Sequence, residues 1–111
     1  MGHACVHCWM PIEDIWRKLI PEQIINAPDF AGVYELAGIL QDLLYIGHTE
    51  SLARTIAEIN DKKESEYPTV SFFRFHATAD HKKEYNELIE EYKQKHNALP
   101  PINQQREKAN N

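Results

Sequence analysis

Two tyrosines, Tyr34 and Tyr45, stand with ten residues between them, inside the short motifs Gly32-Val33-Tyr34 and Tyr45-Ile46-Gly47. If the motifs lie on two strands of an antiparallel hairpin, the phenols come close, with their hydroxyls at one edge, and form a candidate site. The commonplace role of aromatics in strands is core packing, and spacing alone leaves both readings open. Other side chains able to do chemistry follow later. Lys62-Lys63, Arg74 and Lys82-Lys83 offer a local basic patch, and His76 shares a strand face with Arg74. At the amino end, His3, Cys5, His7 and Cys8 offer imidazoles and a C-x-x-C pair. A structural zinc draws its ligands from two separated pairs, and the chain has no second cysteine pair, so no zinc is expected there and two reduced thiols on a frayed terminus are the plainer reading.

The elements that position these groups follow from periodicity. Val33, Leu36 and the run Leu43 to Ile46 are rich in β-formers and bounded by Gly32, Gly38 and Gly47, which predicts a hairpin of residues 32–36 and 43–48 with a turn at Gln41-Asp42. Residues 50–60 read as a helix with Leu52, Ile56 and Ile59 on one side, Thr55 on their flank and Arg54 almost opposite. Residues 61–68 are polar, a loop or frayed helix end closed by Pro68. The stretch 69–78 is β-branched and aromatic without Gly or Pro, and predicts a third strand with aromatics on both faces. Asp80 can cap a helix over 81–96 whose apolar face is Tyr85, Leu88, Ile89 and Tyr92, with Glu84 and Glu91 at its border. Ahead of the hairpin, residues 11–20 read as a short amphipathic helix and residues 22–27 as a further turn or two. The expectation is an α+β fold, a small three-stranded, mostly antiparallel sheet flanked by helices. An N-terminal tail and helical extension over 1–29 would precede the domain at 30–103, and a polar tail would follow at 104–111.

At 111 residues the chain has room for one core. Apolar residues make up 42% and charged residues 26%, without the roughly 20-residue apolar run of a membrane span, so a cytoplasmic protein with no membrane partner is expected. Seventeen acidic against twelve basic side chains give a net charge of -5, and residues 1–50 carry only Arg17 and Lys18 against seven acids. No global field draws such a chain to a phosphate backbone, which argues against tight, unaided nucleic-acid binding.

The order strand, loop, strand, helix with these tyrosines resembles the opening of a GIY-YIG nuclease-type domain, found in DNA-repair excinucleases and in some homing and restriction endonucleases. The resemblance covers residues 30–103: the two tyrosine motifs, Leu52 five residues after Gly47, a helix of the form E-x-x-x-L-I, and Asn103 after a proline. It implies catalytic roles for Tyr34 and Tyr45, a metal-binding role for Glu84 with Mg²⁺ or Mn²⁺, and DNA as partner. Gly47 and Asn103 match motif positions, and His48, Arg74 or Arg54 are candidates to contact nucleic acid or to stand in for the family's phosphate-steadying arginine. A phenol of ordinary pKa near 10 needs a neighbouring cation to act as a base, while one Mg²⁺ held by a carboxylate and waters can polarise a phosphate.

The chain departs from the pattern on its first long helix. The family arginine stands eight residues after the motif glycine, where this chain has Thr55, and Arg54 is one step early. A one-residue slip turns a side chain by about 100°. Glu84 stands four rather than three residues before Leu88. Two functions therefore compete: a degenerate or weakly active member serving as a nucleic-acid or protein interaction module, and a Mg²⁺-dependent endonuclease hydrolysing DNA phosphodiester bonds.

Overall fold

The computed structural model describes residues 15–110, with side chains to residue 107. The tyrosine motifs fall on β2 (Gly32–Ala37) and β3 (Leu43–Thr49), which pair antiparallel with Tyr34 opposite Gly47 and Leu36 opposite Tyr45. The turn between them closes through Gly38 N–H to Asp42 C=O at 3.0 Å, with Gln41 in the left-handed region at φ 62°. β4 (Phe72–Ala77) pairs antiparallel with the other side of β2, so β2 lies inside the sheet and is buried over all its residues.

The sheet has four strands, in the order β1-β4-β2-β3, rather than the three expected. The additional strand, β1 (Arg17–Lys18), comes from the stretch read as an amphipathic helix. Arg17 lies opposite Phe73 and Lys18 opposite Phe72, and the next residue, Leu19, donates its N–H to Ser71 C=O at 3.0 Å. The physical reason is the free edge of β4: its unpaired backbone groups accept a strand, and Pro21 ends any helix arriving from upstream. Ile15, which the expected amphipathic helix over 11–20 would place on its apolar face with Ile12, Trp16 and Leu19, is 72% exposed. The part of that expected helix before residue 15, and the His3 to Cys8 cluster, lie outside the described residues.

The helices cover the sheet. α1 (Pro21–Ile24) is the short turn expected from Pro21, and α2 (Leu52–Asp61) buries Leu52, Ile56 and Ile59 as its periodicity requires. Ser51 caps α2, accepting from Arg54 N–H at 3.3 Å and donating its hydroxyl to Asp29 at 2.6 Å. α3 (Lys63–Glu66) occupies the polar stretch, and α4 (His81–His96) spans the expected residues, ending at Asn97 with φ 59°. Asp80 precedes α4 without a capping hydrogen bond from its side chain. The expected polar tail is instead helical: α5 (Pro101–Asn110) begins at Pro101, a residue preorganised for a first helical turn, and is anchored by Ile102 and Asn103. The main core gathers Leu19, Ile24, Leu36, Ile56, Val70 and Phe73 with Tyr34.

Candidate functional site

Alternation along the strands sorts the candidate side chains. Tyr34, Tyr45, Gly47 and Thr49 share one face of the sheet, and Glu35, His48, Arg74 and His76 share the other. On the first face the rings of Tyr34 and Tyr45 approach to 6.0 Å between centroids at 44°. The expected proximity of the phenols is therefore present. Gly47 makes it sterically feasible: a Cβ there would lie 2.5 Å from Tyr34 Cζ and 2.8 Å from Tyr45 Cε2. Tyr34 is buried, and burial, followed by the nearby phenols of Tyr45 and Tyr67, holds its pKa well above the ordinary value, with Arg106 pulling the other way. A phenol held this way stays protonated at neutral pH and can donate a hydrogen bond.

Thr55 is half-buried and its hydroxyl bonds that of Thr49 at 2.6 Å, on the tyrosine side, whereas Arg54 is exposed. Helix register thus turns the Thr55 hydroxyl to the tyrosine face and the Arg54 side chain to solvent.

On the opposite face, Arg74 donates to Glu35 at 2.7 Å and its guanidinium lies 4.0 Å from the Trp16 ring centroid. Glu35 is buried, and burial raises its pKa despite the opposing pull of Arg74. His48 and His81 share an Nδ1 to Nδ1 hydrogen bond of 3.0 Å, and the His48 ring also packs on Tyr85 at 4.6 Å between centroids. Burial, then His81 and Lys82, lower the His48 pKa, with Glu50 opposing. His81 is itself buried and lies 3.7 Å from Glu50.

Glu84 reaches His76 at 3.9 Å, and its Oε1 is buried without a hydrogen-bond partner among the described residues. It lines a cleft of about 280 Å³ with Asp80, Lys83 and Glu87. A carboxylate oxygen of this kind suits one hard cation that keeps most of its waters, the mode expected of Mg²⁺ or Mn²⁺. Among the described residues, no three His, Cys, Asp or Glu side chains gather to hold a metal. Such an ion would sit beside His76, whereas the tyrosine pair lies on the other face.

Asn103 has a structural task. Its Oδ1 accepts from Ile46 N–H at 2.9 Å and its Nδ2 donates to Ile46 C=O at 3.0 Å, so one side chain satisfies the outer edge of β3 next to Tyr45. Two groups absent from the expectation complete the tyrosine face. Arg106, from the helix read as a tail, donates to the Tyr67 hydroxyl and places Cζ 5.0 Å from the Tyr67 ring centroid and 5.5 Å from that of Tyr45. A signal was present: Arg106 stands three residues after Asn103, one turn along the same helix face once Pro101 starts a helix.

No family model matches the chain, and no curated protein matches it by sequence.

Proposed function

We propose that the chain is a divergent GIY-YIG-like domain that has kept the hairpin, the tyrosine pair and the asparagine-capped edge, and that it serves as a nucleic-acid or protein interaction module rather than as an efficient endonuclease. The observation that carries this reading is the register of α2: Thr55, bonded to Thr49, occupies the inward position and Arg54 is exposed. Loss of a preorganised donor aimed at developing charge lowers catalytic rates by about 10² to 10³. The raised pKa of Tyr34 supports the same reading, because the phenol is not available as a base. Supporting DNA as the partner are the matched motifs and the basic side chains at the start of α4; the net charge of -5 favours a local contact over a long one.

The test is a nicking assay on supercoiled plasmid with the purified chain and Mg²⁺ or Mn²⁺. No conversion above background is expected, together with DNA retardation that weakens as salt rises. Robust metal-dependent cleavage, abolished by both Arg54→Ala and Glu84→Gln, would establish the endonuclease reading instead. Titration of Mg²⁺ against wild type and Glu84→Gln examines the metal role separately, and equal affinities would remove Glu84 from it.

A further inference from the structure

At the outer edge of the tyrosine face, one guanidinium meets two phenols and one carboxylate. Arg106 donates to the Tyr67 hydroxyl, lies against the rings of Tyr45 and Tyr67, and stands 3.8 Å from Glu66. Its side chain is 42% exposed and that of Glu66 is 50% exposed, so the ion pair is solvent-screened and weak. A guanidinium has five N–H donors in a planar fork, and the contact with Tyr67 engages one nitrogen. Because the Tyr67 oxygen accepts from Arg106, its own proton remains available to donate. On the remaining side, the Tyr34 ring approaches that of Tyr45 to 6.0 Å between centroids.

We propose that Arg106, Tyr67 and Tyr45 form a binding site for a phosphate monoester dianion, which displaces Glu66 from the guanidinium. Charge selects the ligand. A carboxylate would exchange one monoanion for another, and a phosphodiester likewise brings a single charge. A monoester brings about -1.5 to -2 at pH 7 and three acceptor oxygens, enough to engage the guanidinium fork and a phenol proton together. The terminal phosphate of a nucleic acid and a small phosphorylated molecule share this chemistry. The donors that would meet the phosphate do not depend on kinship with nucleases, since neither Arg106 nor Tyr67 belongs to the motifs that carry that resemblance, and Tyr45 contributes only its ring against the guanidinium.

The test is a chemical-shift titration at constant ionic strength and pH 7.5 with three probes: inorganic phosphate, a short oligonucleotide bearing a 5′-phosphate, and the same oligonucleotide without it. Arg106→Gln should weaken phosphate binding by about tenfold or more. Glu66→Gln, an exposed change that removes the competitor, should tighten it by about two- to fivefold, a gain that misfolding cannot imitate. Preference for the phosphorylated oligonucleotide over its partner identifies nucleic-acid ends as the source. Arg106-dependent binding of inorganic phosphate without that preference identifies a small phosphorylated ligand. Phosphate affinity unchanged in Arg106→Gln, or not increased in Glu66→Gln, would overturn the proposal. Neither result bears on the nicking assay, so the two readings fail separately.

Discussion

At the scale of single residues, the tyrosine pair and Gly47 form one steric unit. Gly47→Ala would bring a methyl group within 2.5 Å of the Tyr34 hydroxyl and 2.8 Å of Tyr45 Cε2. The rings must move inside a packed face, which costs about 1–3 kcal/mol. A lower midpoint in denaturant at unchanged slope is the expected outcome, and wild-type stability would show that the rings yield freely. The proximity of the tyrosines was legible in the sequence because antiparallel pairing and a fixed loop length determine which side chains meet. Partners such as Glu35 for Arg74 were not, because β3 and two helices separate β2 from β4 in the chain, and nothing local encodes their register.

Glu35 and Arg74 also make a pH prediction. The Glu35 carboxylate is buried, with its side chain 6% exposed, and its folded pKa is raised, so its ionised form costs stability that is recovered as pH falls through that pKa. Removing the partner in Arg74→Met leaves the carboxylate uncompensated at neutral pH, a loss of about 3 kcal/mol. The deficit should shrink on acidification toward pH 5, as Glu35 takes up a proton. A deficit constant with pH would assign the loss to the packing of Arg74 on Trp16 instead. His48 has the opposite sign: its folded pKa is depressed, so the stability it contributes is present above its ordinary value of 6.5 and is lost as pH falls through the folded pKa. His48→Gln should therefore flatten the acid side of the melting-temperature profile, and equal slopes below pH 6.5 would refute the effect.

At the scale of elements, α4 was readable to its ends because its period, its basic last turn and Asn97 agree. β1 and α5 were not, for different reasons. A two-residue strand has no periodicity of its own and exists because β4 presents an unpaired edge. α5 has a polar sequence typical of a solvated tail, and Asn103 ties it to β3 by two hydrogen bonds to Ile46. Asn103→Ala should leave the Ile46 N–H and C=O without their partners and loosen α5 together with Arg106. The expected destabilisation is about 1–3 kcal/mol, with faster amide exchange at Ile46. Retained protection at Ile46 would mean that the edge is covered some other way.

At the scale of the whole molecule, the sheet divides the polar chemistry. One face holds phenols and Arg106; the other holds the two histidine contacts, the Glu35–Arg74 pair and Glu84. No helix among the described residues is long and apolar enough to cross a membrane. On the nuclease-like reading proposed above, two positions of the pattern are altered together. Thr55 stands at the arginine position, and the residue three before Leu88 is Tyr85, packed on His48, with Glu84 one step earlier beside His76. Groups that act as a unit are not restored one at a time, since the last one missing sets the rate. Thr55→Arg would put a guanidinium on the tyrosine side of α2, next to Thr49, while leaving the carboxylate position unchanged. The expected outcome is therefore no plasmid nicking with Mg²⁺ above the wild-type background. Measurable nicking by Thr55→Arg that disappears in Thr55→Arg/Glu84→Gln would show that Glu84 serves from its shifted position, and that one register slip alone separates this chain from a working nuclease.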